Sequence, residues 1–192
     1  LMLEEMINEG MNFIDTARGY TNSEELLGYA LQGKREKFII ATKSMARTYD
    51  SMKNDVETSL KNLQTSYIDL YQLHNIQMKD DIGGALEALQ EAKGLGKIKH
   101  IGVTTHSVEV LQREVELNRF ETIQFPYNIV ETQAEKLFFE AKKKNIGIID
   151  MKPLAGGAIN NGELALKYIL YNENMQIAST EGVPIEISNS GK

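Results

Sequence analysis

The 192-residue chain has no cysteine and no tryptophan, and it carries only three prolines and three histidines. The missing cysteines exclude disulfides, thiolate nucleophiles and cysteine-ligated zinc or iron–sulfur clusters within these residues. His74, His100 and His106 lack HxH or HExxH spacing, so no metal is expected. A basic face is missing too. The 27 acidic and 21 basic residues leave a formal charge of −6, which argues against bulk nucleic-acid binding. No apolar run approaches the roughly 20 residues that span a membrane. The opening Leu1-Met2-Leu3-Glu4-Glu5-Met6-Ile7 is acidic and helix-patterned, unlike a secretory leader. A soluble, cytoplasmic protein is the default expectation.

What is present is ordinary for a globular protein, 42% hydrophobic and 25% charged, enough for one sizeable core with nothing demanding a second. Leu3, Met6 and Ile7 have helical spacing, with Gly10 as a stop. Three apolar runs follow, each ending in a polar side chain: Asn12-Phe13-Ile14-Asp15, Phe38 to Lys43, and Ile68 to His74. Amphipathic stretches separate them. Leu26, Leu27, Ala30 and Leu31 stand behind a candidate cap at Ser23, and Val56, Leu60 and Leu63 behind Asp50 or Ser51. Ile82, Leu86 and Leu89 line a further helix closed by Gly94. An apolar run from Ile98 to Val103 leads into Thr104-Thr105-His106, and Ser107 can cap a helix bearing Val110, Leu111 and Val115. Thr122 to Phe125 is short and apolar, with Pro126 as its end. Leu137, Phe138 and Ala141 make the next stripe. Ile146 to Ile149 runs into Met151-Lys152-Pro153-Leu154-Ala155-Gly156-Gly157, then Leu166, Tyr168, Ile169 and Leu170 mark a helix. Met175 to Ala178 is a candidate for a last short strand.

Regular strand–helix alternation argues for an α/β fold with a parallel sheet and covering helices. The seven strand candidates are one short of a (β/α)8 TIM barrel, and no glycine-rich phosphate fingerprint supports a doubly wound open sheet instead. The expectation is a single barrel domain over residues 1–192. In such barrels the site lies at the C-terminal ends of the strands. Asp15, Lys43, His74, Thr104, Gln124 and Lys152 occupy those ends here.

Tyr20 follows Asp15 on the same loop. A tyrosine hydroxyl titrates near pH 10 when unperturbed, too high for acid catalysis at neutral pH. A lysine ammonium beside it stabilises the phenolate, a carboxylate can hold that lysine, and an imidazole can orient a carbonyl oxygen. Asp15, Tyr20, Lys43 and His74 supply each of those parts. Taken singly, Asp15 and Lys43 read as a structural ion pair and His74 as a half-buried ring. At matching strand ends the four read as a proton-transfer site.

These residues resemble the aldo-keto reductase family. Gly10-Met11-Asn12-Phe13-Ile14-Asp15-Thr16-Ala17 through Tyr20, with Ser23-Glu24 and Leu27-Gly28, is similar to its first signature, and Lys43 and His74 fit the next two. Gly96-Lys97-Ile98 with Ile101-Gly102-Val103, Gln124 with Tyr127-Asn128, and Pro153-Leu154 with Gly156-Gly157 match further landmarks. The resemblance implies reduction of aldehydes or ketones by hydride from a nicotinamide dinucleotide, NADP(H) in most members and NAD(H) in others. It makes Tyr20 the proton donor, with Lys43 lowering its pKa, Asp15 holding Lys43, and His74 orienting the carbonyl. It places the cofactor against Thr104, Thr105, Gln124, Met151, Lys152, Pro153 and Leu154. The implied partner is a small carbonyl compound, without nucleic acid or membrane; oligomeric state is not read from the sequence.

Departures from the family pattern are specific. Thr105 stands where an asparagine amide is usual, and Met151 near a usual aromatic. The family's first strand has no counterpart here, the link from Ala158 to Gly162 is short for a cofactor-covering loop, and Val183 to Lys192 match no landmark. Residues 1–192 are therefore expected to omit pieces of a longer chain. Gly102-Val103-Thr104-Thr105-His106-Ser107 and Met151 to Gly157 look like a bacterial branch in which a ferredoxin-like extension can follow the barrel, though no such extension lies in these residues. A different class of reading keeps the barrel as a catalytically weak, cofactor-binding regulatory or scaffold protein. Tyr20 and Lys43 together argue against it.

Overall fold

The computed structural model describes residues 2–175 and 177–179. Two compact units divide the chain, residues 1–104 and 105–192. In the first, strand and helix alternate: α1 (Met2–Asn8), β1 (Phe13–Asp15), α2 (Ser23–Ala30), β2 (Ile39–Ser44), α3 (Tyr49–Asn62), β3 (Ile68–Leu73), α4 (Gly83–Gly94) and β4 (Ile98–Thr104). The four strands pair in sequence order and all in parallel, with Ile14 opposite Ile40, Ala41 opposite Leu70, and Leu70 opposite His100. Every residue of β3 is buried, as a parallel strand covered on both faces must be. Ile40, Met52, Ile68, Tyr71 and Leu73 fill the core.

Two helix starts differ from the sequence reading. Thr48, with extended backbone, caps α3 by accepting from the Ser51 amide, so Asp50 and Ser51 lie inside the helix. Ser23 is also helical. Asn22 precedes it without a capping bond, and the Ser23 hydroxyl instead meets Thr16 Oγ1 at 2.8 Å. Gly28 is required where α2 crosses α3, because a Cβ there would come within 2.2 Å of the Asn62 carbonyl oxygen. At the N-terminal ends of the strands, Asp69 accepts from Arg35 (2.7 Å), Lys99 (2.8 Å) and the Ile40 amide (3.0 Å). Burial alone would raise that carboxyl. The three donors outweigh burial and hold it below the usual range.

The second unit contains α5 (Val108–Leu117), β5 (Thr122–Pro126), α6 (Glu135–Lys143), β6 (Gly147–Met151), α7 (Gly162–Leu170) and β7 (Ile177–Ser179). Strands β5, β6 and β7 pair in parallel, with Thr122 opposite Gly147 and Ile149 opposite Ile177. Pro126 stays within β5, opposite Met151, and the next amide, Tyr127 N–H, reaches the Met151 carbonyl at 3.3 Å. A proline at the last strand position costs no ladder bond that its neighbour cannot supply. Ser107 caps α5 as expected, accepting from Val110 N–H at 3.2 Å. Of the pair Phe138-Phe139, only Phe138 enters the core, edge-on to Phe125 and Tyr127, while Phe139 is exposed. In the Lys142-Lys143-Lys144 run, Lys144 reaches across to the C-terminal carbonyls of α5, at 2.9 Å from Val115 O and 3.0 Å from Glu116 O. Residues 183–192, unmatched in the sequence, lie outside the described residues.

Candidate active site

The site in the first unit is built from strand ends. Pairing of β1 with β2 continues beyond Asp15 through Thr16 N–H to Ala41 O and Arg18 N–H to Lys43 O, both at 2.9 Å. That register sets Asp15 beside Lys43. The Lys43 ammonium donates to Asp15 Oδ2 at 2.7 Å and to the Thr16 carbonyl at 2.9 Å. Both side chains are shut away from water, 1% exposed for Lys43 and 4% for Asp15. An ion pair so dry survives only when its geometry and extra hydrogen bonds offset desolvation.

Tyr20 lies above this pair on the loop between β1 and α2. Its ring centroid is 5.2 Å from Lys43 Nζ, within the range of a cation–π contact. The loop folds tightly, with Tyr20 N–H donating to Ala17 O at 3.0 Å and Ser23 N–H to Tyr20 O at 2.8 Å. Tyr20 remains 36% exposed, so its ring faces solvent on one side while Lys43 stays dry beneath it. An open, mainly apolar groove starts at Tyr20 and runs past Leu3, Leu26, Leu27 and Ala30.

His74 follows β3. Its ring meets Tyr20 edge-to-face, centroids 6.1 Å apart and planes at 83°. Its backbone is pinned from two sides: His74 N–H donates to Ser44 O at 2.8 Å, and Arg47 Nη2 donates to His74 O at 2.8 Å. Asp80 steadies Arg47 at 2.9 Å. Asn75 takes up a positive φ of 51° and donates its amide to Thr104 Oγ1 at 2.7 Å. The Thr104 hydroxyl thus accepts from the loop after His74. Asp15, Tyr20, Lys43 and His74 meet within this unit, as their positions at successive strand ends predict.

In the second unit, Thr105 N–H donates to Gln124 O at 3.2 Å, and Thr105 Oγ1 accepts from Ser107 N–H at 3.1 Å. Gln124 is fully buried at the middle of β5, and Met151 is buried at the end of β6. Lys152, exposed, has a φ of 64°, and Ala155, Gly156 and Gly157 follow with positive φ as well. Pro153 and Leu154 between them are buried. Asn128 ties this loop to the end of β5, donating from Nδ2 to Lys152 O at 3.2 Å and to Glu131 at 2.7 Å. Asp150, facing the opposite way from Met151, is completely buried and accepts from Tyr127 N–H at 2.9 Å. Burial pushes its carboxyl up to about 8, against the lowering effect of the Tyr127 amide and with a further rise from nearby Glu131.

Sequence reasoning passed over Arg18, Arg47, Asp55 and Asp150. Their partners lie on other elements, so no local spacing marks them. Among the described residues, no three His, Cys, Asp or Glu side chains cluster closely enough to hold a metal. No helix there is long and apolar enough to cross a membrane.

The model of the aldo/keto reductase family matches residues 2–180. The chain belongs to that family. It is 30% identical over 177 residues to the oxidoreductase YqkF of Bacillus subtilis, covering 85% of this chain and 58% of that one. To the aldo-keto reductase YhdN of the same organism it is 35% identical over 153 residues, 72% of this chain and 46% of that one. It therefore spans only about half the length of these curated relatives. Among solved structures, the holo form of aldo-keto reductase AKR11C1 from Bacillus halodurans superposes with a TM-score of 0.86 at 26% identity, over 93% of this chain and 74% of that one. An aldo/keto reductase from Klebsiella pneumoniae, solved with NADP and acetate, gives 0.72 at 26% identity, over 88% and 62%. The fold class is accordingly α/β, an incomplete (β/α)8 barrel of parallel strands and helices.

Proposed function

We propose that residues 1–192 form one incomplete barrel domain carrying the proton-transfer site of an NADP(H)-dependent reductase of small aldehydes or ketones. One observation carries the reading: a dry Lys43–Asp15 pair beneath a half-exposed tyrosine whose ring edge meets His74. Structural ion pairs are common, but one placed under a tyrosine is not needed for packing. The relatives' oxidoreductase names and the NADP bound in the Klebsiella enzyme support the cofactor class.

In this mechanism Tyr20 Oη gives its proton to the carbonyl oxygen. The Lys43 ammonium stabilises the phenolate left behind, and Asp15 keeps that ammonium in place. His74, held by Ser44 and Arg47, orients the carbonyl. NADPH, when bound, supplies the hydride. The groups proposed to meet a nicotinamide carboxamide are the Gln124 amide and the Thr105 hydroxyl, both fully buried. Met151 to Leu154 complete the proposed cradle, and Thr104, at the end of β4 in the first unit, braces the loop after His74.

The test is fluorescence titration of the full-length protein with NADPH, and with NADH in parallel, followed by turnover of aldehydes and ketones by parent and Tyr20→Phe. NADPH binding in both, with turnover lost in Tyr20→Phe by about 100-fold or more, is the expected result. Absence of binding to either nucleotide refutes the reductase reading. Binding with no loss of turnover in Tyr20→Phe refutes the proton donor.

A further inference from the structure

The loop carrying Tyr20 is closed by a side chain that takes no part in the mechanism above. Arg18 lies on its first stem and Glu24 on its second, in the first turn of α2. Arg18 Nη1 donates to Glu24 Oε2 at 3.2 Å, directly across the base of the loop. Glu24 is an anion only 3% exposed, and it is satisfied on all sides. Its Oε1 accepts from Thr42 Oγ1 at 2.8 Å, and Asn62 Nδ2 on α3 donates to Oε2, beside Arg18, at 3.3 Å.

The second edge of the guanidinium faces Asp55 on α3, with Nε at 3.6 Å from Oδ1, an ion pair longer than a hydrogen bond. The Ser44 hydroxyl donates to the other oxygen of Asp55. Thr42 and Ser44 flank Lys43 on β2, and alternation along a strand sends their side chains to the face opposite that of Lys43. One guanidinium therefore bears on both carboxylates that grip the strand on either side of Lys43. The same residue's backbone amide donates to the Lys43 carbonyl.

We infer that Arg18 is a positioning residue for the proposed reduction: by bridging Glu24 and Asp55 it closes the Tyr20 loop and sets the phenol against Lys43. The inference rests on the reductase reading for its consequence in turnover, but its geometric claim concerns Tyr20 and Lys43 alone. A planar fork suits this task because its two edges meet two carboxylates in fixed directions, which a lysine point charge cannot do. Were the cluster only a stabilising one, its loss would lower the melting temperature and leave the surviving folded molecules with an unaltered site.

Arg18→Met, Arg18→Lys and Glu24→Gln in the full-length protein separate these roles. Each is assayed with NADPH and 4-nitrobenzaldehyde for kcat and KM across pH, with NADPH fluorescence for cofactor affinity. The Tyr20 phenol is titrated by ultraviolet difference against the matching Tyr20→Phe protein, a readout that needs neither cofactor nor turnover. Lys43 and His74, which meet the Tyr20 ring, are the same in every variant, and Arg18→Lys keeps the positive charge that Arg18→Met removes. In Arg18→Met, kcat falls about tenfold or more while NADPH affinity stays within about twofold, and Tyr20 titrates at higher pH than in the parent. Arg18→Lys recovers part of both losses. A folded Arg18→Met with parental kcat and parental Tyr20 titration overturns the inference. Should Arg18→Met fail to fold, Glu24→Gln, which keeps the Thr42 bond and loses the ion pair, is expected to show the same two shifts, and their absence overturns it equally. If the parent neither binds NADPH nor turns over, the reductase reading fails, and the Tyr20 titration still decides the positioning claim.

Discussion

Asp150→Asn should stabilise the protein, and by an amount that grows with pH. The carboxyl is fully buried, its Oδ1 accepts from Tyr127 N–H, and its Oδ2 has no hydrogen-bond partner among the described residues. Burial, with Glu131 nearby, raises it from 3.8 to about 8. Between those two values the folded protein holds a proton that the unfolded chain has released. Stability therefore falls as pH rises through that window and levels off above it. The single-proton limit is about 1.4 kcal/mol per pH unit, so at pH 7 the cumulative loss reaches about 4 kcal/mol. Water entry and local relaxation reduce it, making that figure a ceiling. The replacement amide matches the protonated acid in shape and can still accept from Tyr127, but it cannot ionise. Urea unfolding of parent and variant at pH 5, 6, 7 and 8 should give a difference that widens steadily with pH in favour of the variant. A difference that stays flat would refute the reasoning, because it would mean Asp150 titrates alike in both states.

Lys43→Met should cost about 3–5 kcal/mol in urea unfolding, since it strands the buried Asp15 carboxylate. Adding Asp15→Asn should return part of that loss; an additive double variant would show that the pair is not coupled. Gly28→Ala should lower stability by about 1–3 kcal/mol, because the new methyl meets backbone rather than a movable side chain. A melting temperature equal to the parent's would show that α2 can move off α3 at no cost.

Most of the strand order and the four meeting residues were legible because parallel strands carry long apolar runs, and a polar residue at the end of one is conspicuous. Asp15, Lys43 and His74 announce themselves that way, and Ser107 announces its helix because a hydroxyl followed by an apolar stripe has few other readings. Thr48 could not be chosen over Asp50 and Ser51 from sequence, since all three can cap and only the backbone angles of Thr48 decide. Ser23 looked like a cap, yet its hydroxyl is engaged with Thr16, a contact fixed by how the loop returns to the strand. Glu24 belonged to the quoted signature, but its role needs Arg18, Thr42 and Asn62 from three other places in the chain. Asp150 was hidden for the same reason. Nothing in Ile149-Asp150-Met151 tells that the carboxyl will be closed off beneath the Tyr127 amide.

Asp15, Lys43 and His74 stand at or just past the ends of three consecutive strands, with Tyr20 on the loop after the first, and β2 and β3 each pair with the strand made just before. On a ribosome adding about 5–20 residues per second, the stretch from Asp15 to His74 is made in roughly 3–12 s. Once it has cleared the exit tunnel, every strand-to-strand contact that joins these four side chains is available. Assembly of the reactive group can therefore follow the order of translation and need not wait for Gln124 or Met151 to be synthesised. Slow long-range closure, the step that leaves many parallel sheets open to aggregation, falls outside the part of the molecule where proton transfer is proposed.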